Sequence, residues 1–236
     1  MMHQKHKLTI LAVVAHPDDT EFGIAGSVAR WTAEGHAVIY CIVTDGAAGS
    51  NEPSVDPQTL VETRRAEQVA AAAAVGVHDV RFLGYPDGSL QPTLELRRAI
   101  TRLIREVRPD RVICQDPTTY FFGHNYINHP DHRAVGEATI YAVFPSAETR
   151  HIFPELLAEG LEPHKVSEVY LDLTLHPDTY VDISDTIDRK LTAIGCHRSQ
   201  VSPEALTMVR EWAAEAGAKG GYAYAEAFRV LRLVEG

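Results

Sequence analysis

Cysteine is scarce in this chain. Cys41, Cys114 and Cys196 are the only three among 236 residues, odd in number and far apart, with no C-x-x-C pair. That pattern excludes a disulfide framework and reads as buried, reduced thiols in a cytoplasmic protein. Long apolar runs are missing as well. The longest N-terminal stretch, Leu8 to Ala15, has the length of a strand, and no run reaches the ~18 residues a membrane span needs. It passes directly into His16, Asp18 and Asp19 without a small-residue cleavage site, which argues against a signal peptide. Positive charge is in deficit. With 22 basic residues against 32 acidic ones the net charge is −10, which argues against a general nucleic-acid binder. Repeats, low-complexity tracts and linkers rich in Pro, Gly and Ser are absent too. What remains is ordinary for a globular protein, at 45% hydrophobic and 23% charged, except for 12 histidines.

The order of elements predicts the fold class. Leu8–Ala15 is a continuous apolar, β-rich run, the mark of a strand buried on both faces. Helical spacing follows over Phe22–Glu34, then a strand over Ala37–Val43, an Ala-rich helix over Thr59–Val75, a strand at Val80–Leu83, a helix over Leu94–Val107 and a fourth strand at Arg111–Cys114. Strands that alternate with helices pair in parallel through right-handed crossovers, so the prediction is an α/β, Rossmann-like three-layer sandwich with a mostly parallel sheet. Beyond Cys114 the pattern loosens. Gln115–Pro130 reads as a loop, Asp131–Val143 as a helix and Pro154–Glu159 as a shorter one. Val166–Leu173 and Tyr180–Ile183 read as strands, Ser184–Cys196 as a helix capped by Ser184, and Glu226–Leu233 as a closing strand. Residues 1–236 are expected to form a single domain, with Glu148–Lys165 as an insertion.

Two clusters could carry chemistry. A-H-P-D-D-T-E, Ala15 to Glu21, follows the first strand directly, where the crevice of an open α/β sheet receives ligands. His16 and Asp19 lie three apart across a turn stiffened by Pro17, so both can reach one point, while Asp18 projects elsewhere. The bland alternative is that Asp18 and Asp19 cap the next helix. N-H-P-D-H, Asn128 to His132, follows the fourth strand and repeats the three-residue spacing with His129 and His132. Imidazoles with a carboxylate are the mix zinc prefers, and three protein ligands leave a fourth position for water. The bland alternative here is a solvated helix start capped by Asp131. On zinc chemistry, Asp18 could accept the proton of an activated water and a protonated His129 could offset charge on a tetrahedral oxygen. Asp131 could orient His129.

These motifs, with Gly23 and Gly26, T-D-G at Thr44–Gly46, R-x-x-E at Arg64–Glu67, L-G-Y-P-D-G at Leu83–Gly88, V-D-I-S-D-T-I at Val181–Ile187, H-R-S-Q at His197–Gln200 and E-A-F-R at Glu226–Arg229, resemble the PIG-L/LmbE-like N-deacetylases over nearly the whole chain. The resemblance implies a Rossmann-like fold and a zinc ion, or another divalent transition metal such as Fe2+. It implies that His16, Asp19 and His132 bind the metal, that Asp18 is the general base, and that His129 stabilises the oxyanion or protonates the leaving amine. It also implies loss of an N-acetyl group from a GlcNAc-type amino sugar or its conjugate, and a homo-oligomer, trimer or hexamer; the cysteine pattern, charge and hydropathy add the expectation of a cytoplasmic protein with no nucleic-acid or membrane partner. Where the family often has an acidic residue after T-D-G, this chain has Ala47.

Further candidates carry alternatives. Arg64 could bind a sugar hydroxyl or phosphate, or be a solvated helix arginine. Asp45 could shape the pocket floor. Tyr120, Phe121, Phe122 and Tyr126 could stack a sugar or pack their loop down. His176 and His197 read as structural. The rival functions are an amidase for bulkier acyl groups, a non-catalytic sugar- or nucleotide-binding module, and magnesium-dependent phosphotransfer. The last two are disfavoured by the acidic pair where a phosphate loop would lie and by histidine donors.

Overall fold

The computed structural model describes residues 7–233. Its elements run β1 (Thr9–Val14), α1 (Asp19–Gly23), α2 (Ala25–Ala33), β2 (Ala37–Thr44), α3 (Pro57–Ala74), β3 (Asp79–Tyr85), α4 (Leu94–Val107), β4 (Arg111–Gln115), β5 (Phe121–Phe122), β6 (Tyr126–Ile127), α5 (Pro130–Tyr141), α6 (Glu155–Ala158), β7 (Glu168–Asp172), β8 (Thr179–Asp182), α7 (Ile187–Ile194), α8 (Pro203–Gly220) and β9 (Ala225–Arg232). Seven strands form one sheet in the order β3-β2-β1-β4-β7-β9-β8. The first five are parallel, and β9 runs against both its neighbours.

The continuous apolar strands are explained by layers on both faces. Along β1, Leu11 and Val13 face the core shared with Leu96, Ile100 and Ile104 of α4 and Val135 of α5. Ile10 and Ala12 face the other core, with Val28 of α2, Ala71 and Ala72 of α3 and Ala193 of α7. Successive strand side chains point to opposite faces, so an alternating polar residue anywhere in β1 would enter one of two cores. Each fully buried Leu or Ile there contributes roughly 1.5–3 kcal/mol. Asp56 and Thr93 start α3 and α4 by accepting from the Thr59 and Leu96 amides.

Several expectations are corrected. The helix expected over Phe22–Glu34 is two helices broken at Ile24. The last of the expected strand-linked helices begins at Ile187, not Ser184, and the Ser184 hydroxyl instead bonds the Asp182 carboxylate at 2.6 Å. The loop Gln115–Pro130 contains the β5–β6 hairpin. The 18-residue α8 lies where no helix was expected. Only Val209, Ala213 and Gly217 of α8 are buried, a narrow stripe of small residues that periodicity reads poorly. Gly217 has to be small, since a Cβ there would lie 2.7 Å from the Tyr222 carbonyl oxygen. All three cysteines are free, but Cys196 is half-buried rather than buried.

Candidate metal and catalytic site

The strand order reverses between β1 and β4, which opens a crevice beyond their carboxyl ends. The turn after β1 and the start of α5 both project into it. Gly136 lets α5 come this close, because a Cβ there would collide with the Gln115 carbonyl at the end of β4.

His16, Asp19 and His132 converge. One donor atom from each lies within 4.8 Å of the others. Asp19 bridges the imidazoles, with Oδ2 3.3 Å from His16 Nδ1 and Oδ1 3.1 Å from His132 Nε2. The surroundings aim these atoms. Gln115 Nε2 donates to Asp19 Oδ2 at 2.9 Å, and Asn128 Oδ1 lies 3.0 Å from His132 Nδ1. His16 Nε2 faces Asp87 Oδ1 at 3.2 Å and Asp131 Oδ2 at 3.4 Å. A second group, His16 with Asp87, His129 and Asp131, is equally compact. It uses the far nitrogen of His16, so it serves as the carboxylate support that fixes a ligating imidazole's tautomer. Two imidazoles, one carboxylate and an oriented outer shell fit a divalent transition metal.

Electrostatics point the same way. Burial pulls the His16 imidazole down, but Asp19, Asp131 and Asp87 outweigh it and push its pKa up to about 12. Burial pushes the Asp19 carboxyl up, yet the His132 and His16 charges hold it well below the usual range. The pit strongly favours positive charge.

Asp18 stands apart from its neighbour. Its backbone is left-handed (φ 93°), an unusual conformation for a residue other than glycine. Although it precedes α1, its carboxylate makes no capping bond. Instead Arg64 Nη2 donates to Asp18 Oδ2 at 3.2 Å, and the Asp18 amide donates to Gln68 Oε1 at 2.8 Å. Burial, then the Asp19 charge, raise the Asp18 carboxyl to about 7, with Arg64 opposing.

His129 is the N-cap of α5, and its Nδ1 accepts from the Asp131 amide at 3.2 Å. The neutral ring therefore carries its proton on Nε2. Burial and the His16 charge lower its pKa, contrary to the expectation of a protonated His129. Asp131, expected as cap or as orienter of His129, directs its carboxylate at His16 and at the Gly88 and Leu90 amides.

The remaining candidates divide. Arg64 lines the cleft but is buried, with Nη1 on the Gly46 carbonyl and Nη2 on the Pro17 carbonyl. Asp45 accepts from the Ala47 and Asp87 amides and shapes the turn. Phe122 and Tyr126 line the cleft, whereas Tyr120 lies under the Arg133 guanidinium. His197 is fully buried against Glu21. Asp87, Gln115, Asn128, Met208 and Trp212 were not singled out from the sequence. Y-P-D-G at a strand end was a usable signal for Asp87; the α8 residues offered none, because their helix was missed.

The match to known proteins follows this geometry. Residues 11–143 match the family model described as PIG-L: GlcNAc-PI de-N-acetylase. The chain is 33% identical over 226 residues to a diacetylchitobiose deacetylase of Thermococcus kodakarensis, covering 94% of this chain and 82% of that one. A probable N-acetyl-α-D-glucosaminyl L-malate deacetylase 2 of Bacillus cereus is 33% identical over 196 residues, covering 81% and 83%. The structure of N,N'-diacetylchitobiose deacetylase from Pyrococcus horikoshii superposes with a TM-score of 0.90 at 32% identity, over 97% of this chain and 85% of that one. With more than half the chain inside the family model and a third of its residues shared with a relative of nearly matching extent, this protein belongs to the PIG-L family of de-N-acetylases.

Proposed function

We propose that this protein is a metal-dependent N-deacetylase that hydrolyses the acetamide of a GlcNAc-type amino sugar or its conjugate to acetate and a free amine. The observation that carries this reading is the division of labour within one turn: Asp19 joins two imidazoles, while adjacent Asp18 is turned away by its left-handed backbone and held near a pKa of 7. His16, Asp19 and His132 would hold the metal, with zinc the ion that this donor set favours and Fe2+ the second choice. Such a metal supplies Lewis-acid polarisation of the acyl carbonyl and acidifies the attacking water.

The chain's own residues do the rest. Asp18 accepts the water's proton at Oδ1 or Oδ2, and a pKa near 7 suits a base working at neutral pH. Arg64 keeps that carboxylate oriented. His129 donates a hydrogen bond through Nε2–H to the oxygen on which charge develops and keeps that proton, while the proton that Asp18 took from water passes to the departing amine as the C–N bond breaks. The test is acetate release by the metal-loaded protein from N-acetylglucosamine and its conjugates. Failure with all of them, at full metal occupancy, overturns the reading.

A cytoplasmic homo-oligomer, trimer or hexamer, is part of the same proposal. The free cysteines support the first element. The second rests on family resemblance, and light scattering that returned one chain's mass across micromolar concentrations would refute it. Among the described residues no helix is long and apolar enough to cross a membrane.

A further inference from the structure

Asp18 has a φ of 93°, a conformation that side chains with a Cβ rarely adopt, and α3 accounts for it. Arg64 and Gln68 are four apart on that helix and so share one face, and both are buried. Arg64 Nη2 donates to the Pro17 carbonyl at 2.8 Å, and Gln68 Oε1 accepts from the Asp18 amide at 2.8 Å. That carbonyl and that amide belong to one planar peptide unit, the one between Pro17 and Asp18. Turning the unit over would carry the Asp18 φ into the ordinary negative range, and it would break both bonds. Two successive turns of α3 therefore lock the peptide in its less common orientation, which persists only where the surroundings over-determine it.

Gln68 is itself anchored at both ends. Its Nε2 donates to Glu21 Oε1 at 3.2 Å, to Glu21 Oε2 at 3.1 Å and to Thr20 Oγ1 at 3.2 Å. A carboxylate can only accept and a backbone amide can only donate, so the side-chain amide of Gln68 cannot be reversed between them. Arg64 also bonds the Asp18 carboxylate and the Gly46 carbonyl, and its loss would disturb several groups at once. The bonds of Gln68 lead instead to one backbone amide, Glu21 and Thr20, so it reaches Asp18 through the backbone. We propose that Gln68 is a positioning residue for the base: by locking the Pro17–Asp18 peptide it sets the angle at which the Asp18 carboxylate enters the cleft. The inference rests on the N-deacetylase reading above, in which Asp18 takes the water's proton, and adds to it the residue that aims that carboxylate.

The experiment follows acetate release by the metal-loaded full chain from N-acetylglucosamine, N,N'-diacetylchitobiose and N-acetylglucosaminyl L-malate, in the parent, Gln68→Met, Asp18→Asn and the double variant. Methionine has nearly the length of glutamine but cannot hold the amide. Gln68→Met should keep a full metal equivalent and the parent's KM while losing roughly 10²-fold in kcat, the scale of a small misplacement of a reacting group. Gln68→Glu keeps an oxygen for the Asp18 amide at the same chain length and should restore most of that rate. In the Asp18→Asn background, Gln68→Met should change kcat by less than about twofold, because two residues that act as a unit are not additive. A general structural defect would lower kcat alike in both backgrounds. Should Gln68→Met not fold, Gln68→Asn, one methylene short of the amide, takes its place in the same cycle. A variant with the parent's kcat, or an equal loss in both backgrounds, overturns the inference and leaves the deacetylase reading in place. No acetate from the parent with any of the three substrates overturns that reading, and the inference with it.

Discussion

Two buried histidine–carboxylate clusters sit within one turn of each other on α1, and they behave differently. In the inner one, His197 Nε2 meets Glu21 Oε2 at 2.9 Å, and Glu21 also accepts from Thr20 Oγ1 and Gln68 Nε2. Both side chains are fully buried, and Glu21 is surrounded by donors. In the outer one, Asp19 is shared by two imidazoles, Asp87 and Asp131 crowd His16, and the group opens on the cleft. Gln68 joins the clusters by accepting from the Asp18 amide while donating to Glu21. The comparison teaches that a His–carboxylate pair sealed from solvent is suited to a structural role, whereas one where several donors converge on an accessible point is suited to holding a metal.

The largest expected effect breaks the outer cluster. His132→Ala should lose most of the bound metal and with it the activity, whereas Asp18→Asn should keep a full metal equivalent and lose roughly 10² to 10⁴ in kcat. Metal analysis beside steady-state kinetics checks both. An Asp18→Asn protein stripped of metal, next to an Asp19→Asn protein with metal and rate intact, would reverse the two roles.

The inner cluster should respond in stability rather than chemistry. Glu21→Ala strands the His197, Gln68 and Thr20 groups without their acceptor, at a cost on the order of 3 kcal/mol. Denaturant titration should show that loss while the folded protein still binds its metal equivalent. A variant as stable as the parent would mean the sealed pair contributes nothing.

The smallest effect concerns Asp172, at the end of β7. It is fully buried, neither carboxylate oxygen has a hydrogen-bond partner, and Gly23 is needed beside it because a Cβ would collide with Oδ2. Burial, then the Asp19 charge, push its carboxyl from 3.8 to about 7. The folded chain therefore holds this proton more tightly than the unfolded one. The stabilisation is complete below the unfolded value and is lost as pH rises through about 7, a change of about 2 kcal/mol between pH 5.5 and 8. Chelator-treated protein should show this loss and Asp172→Asn should not. Equal pH dependence in the two would refute the assignment.

The legible parts of the molecule share a physical cause. β1, β2 and β4 are buried on both faces, so their apolar runs are unbroken and stand out. α4 separates its buried Leu96, Ile100, Leu103 and Ile104 from charged neighbours and is equally plain. α8 hides only a thin stripe of Val, Ala and Gly and was not legible. The β5–β6 hairpin pairs two residues on each side, too few for a period of 2 to show. At the site, the H-P-x-D and H-P-D-H spacings brought His16, Asp19, His129 and His132 forward because each pair lies within one turn. Gln115 and Asp87 support them from separate strand ends, where a single glutamine carries no pattern, and Asn128, although it heads the N-H-P-D-H motif, gives no sign in the sequence that it meets His132.

The sequence by itself determined the layered α/β class, the parallel arrangement of its first strands and the identity of the clustered donors, since these depend on short-range spacing and on which residues avoid water. Only the tertiary structure decided which groups each donor meets. It paired Asp18 with Arg64, directed Asp131 at His16 instead of His129, and committed Arg64 to carbonyls and Asp18 rather than to open solvent. It also brought Trp212, more than eighty residues along the chain, to the same cleft as Tyr126. Those outcomes depend on packing between segments distant in sequence, and local pattern carries no information about where such segments meet.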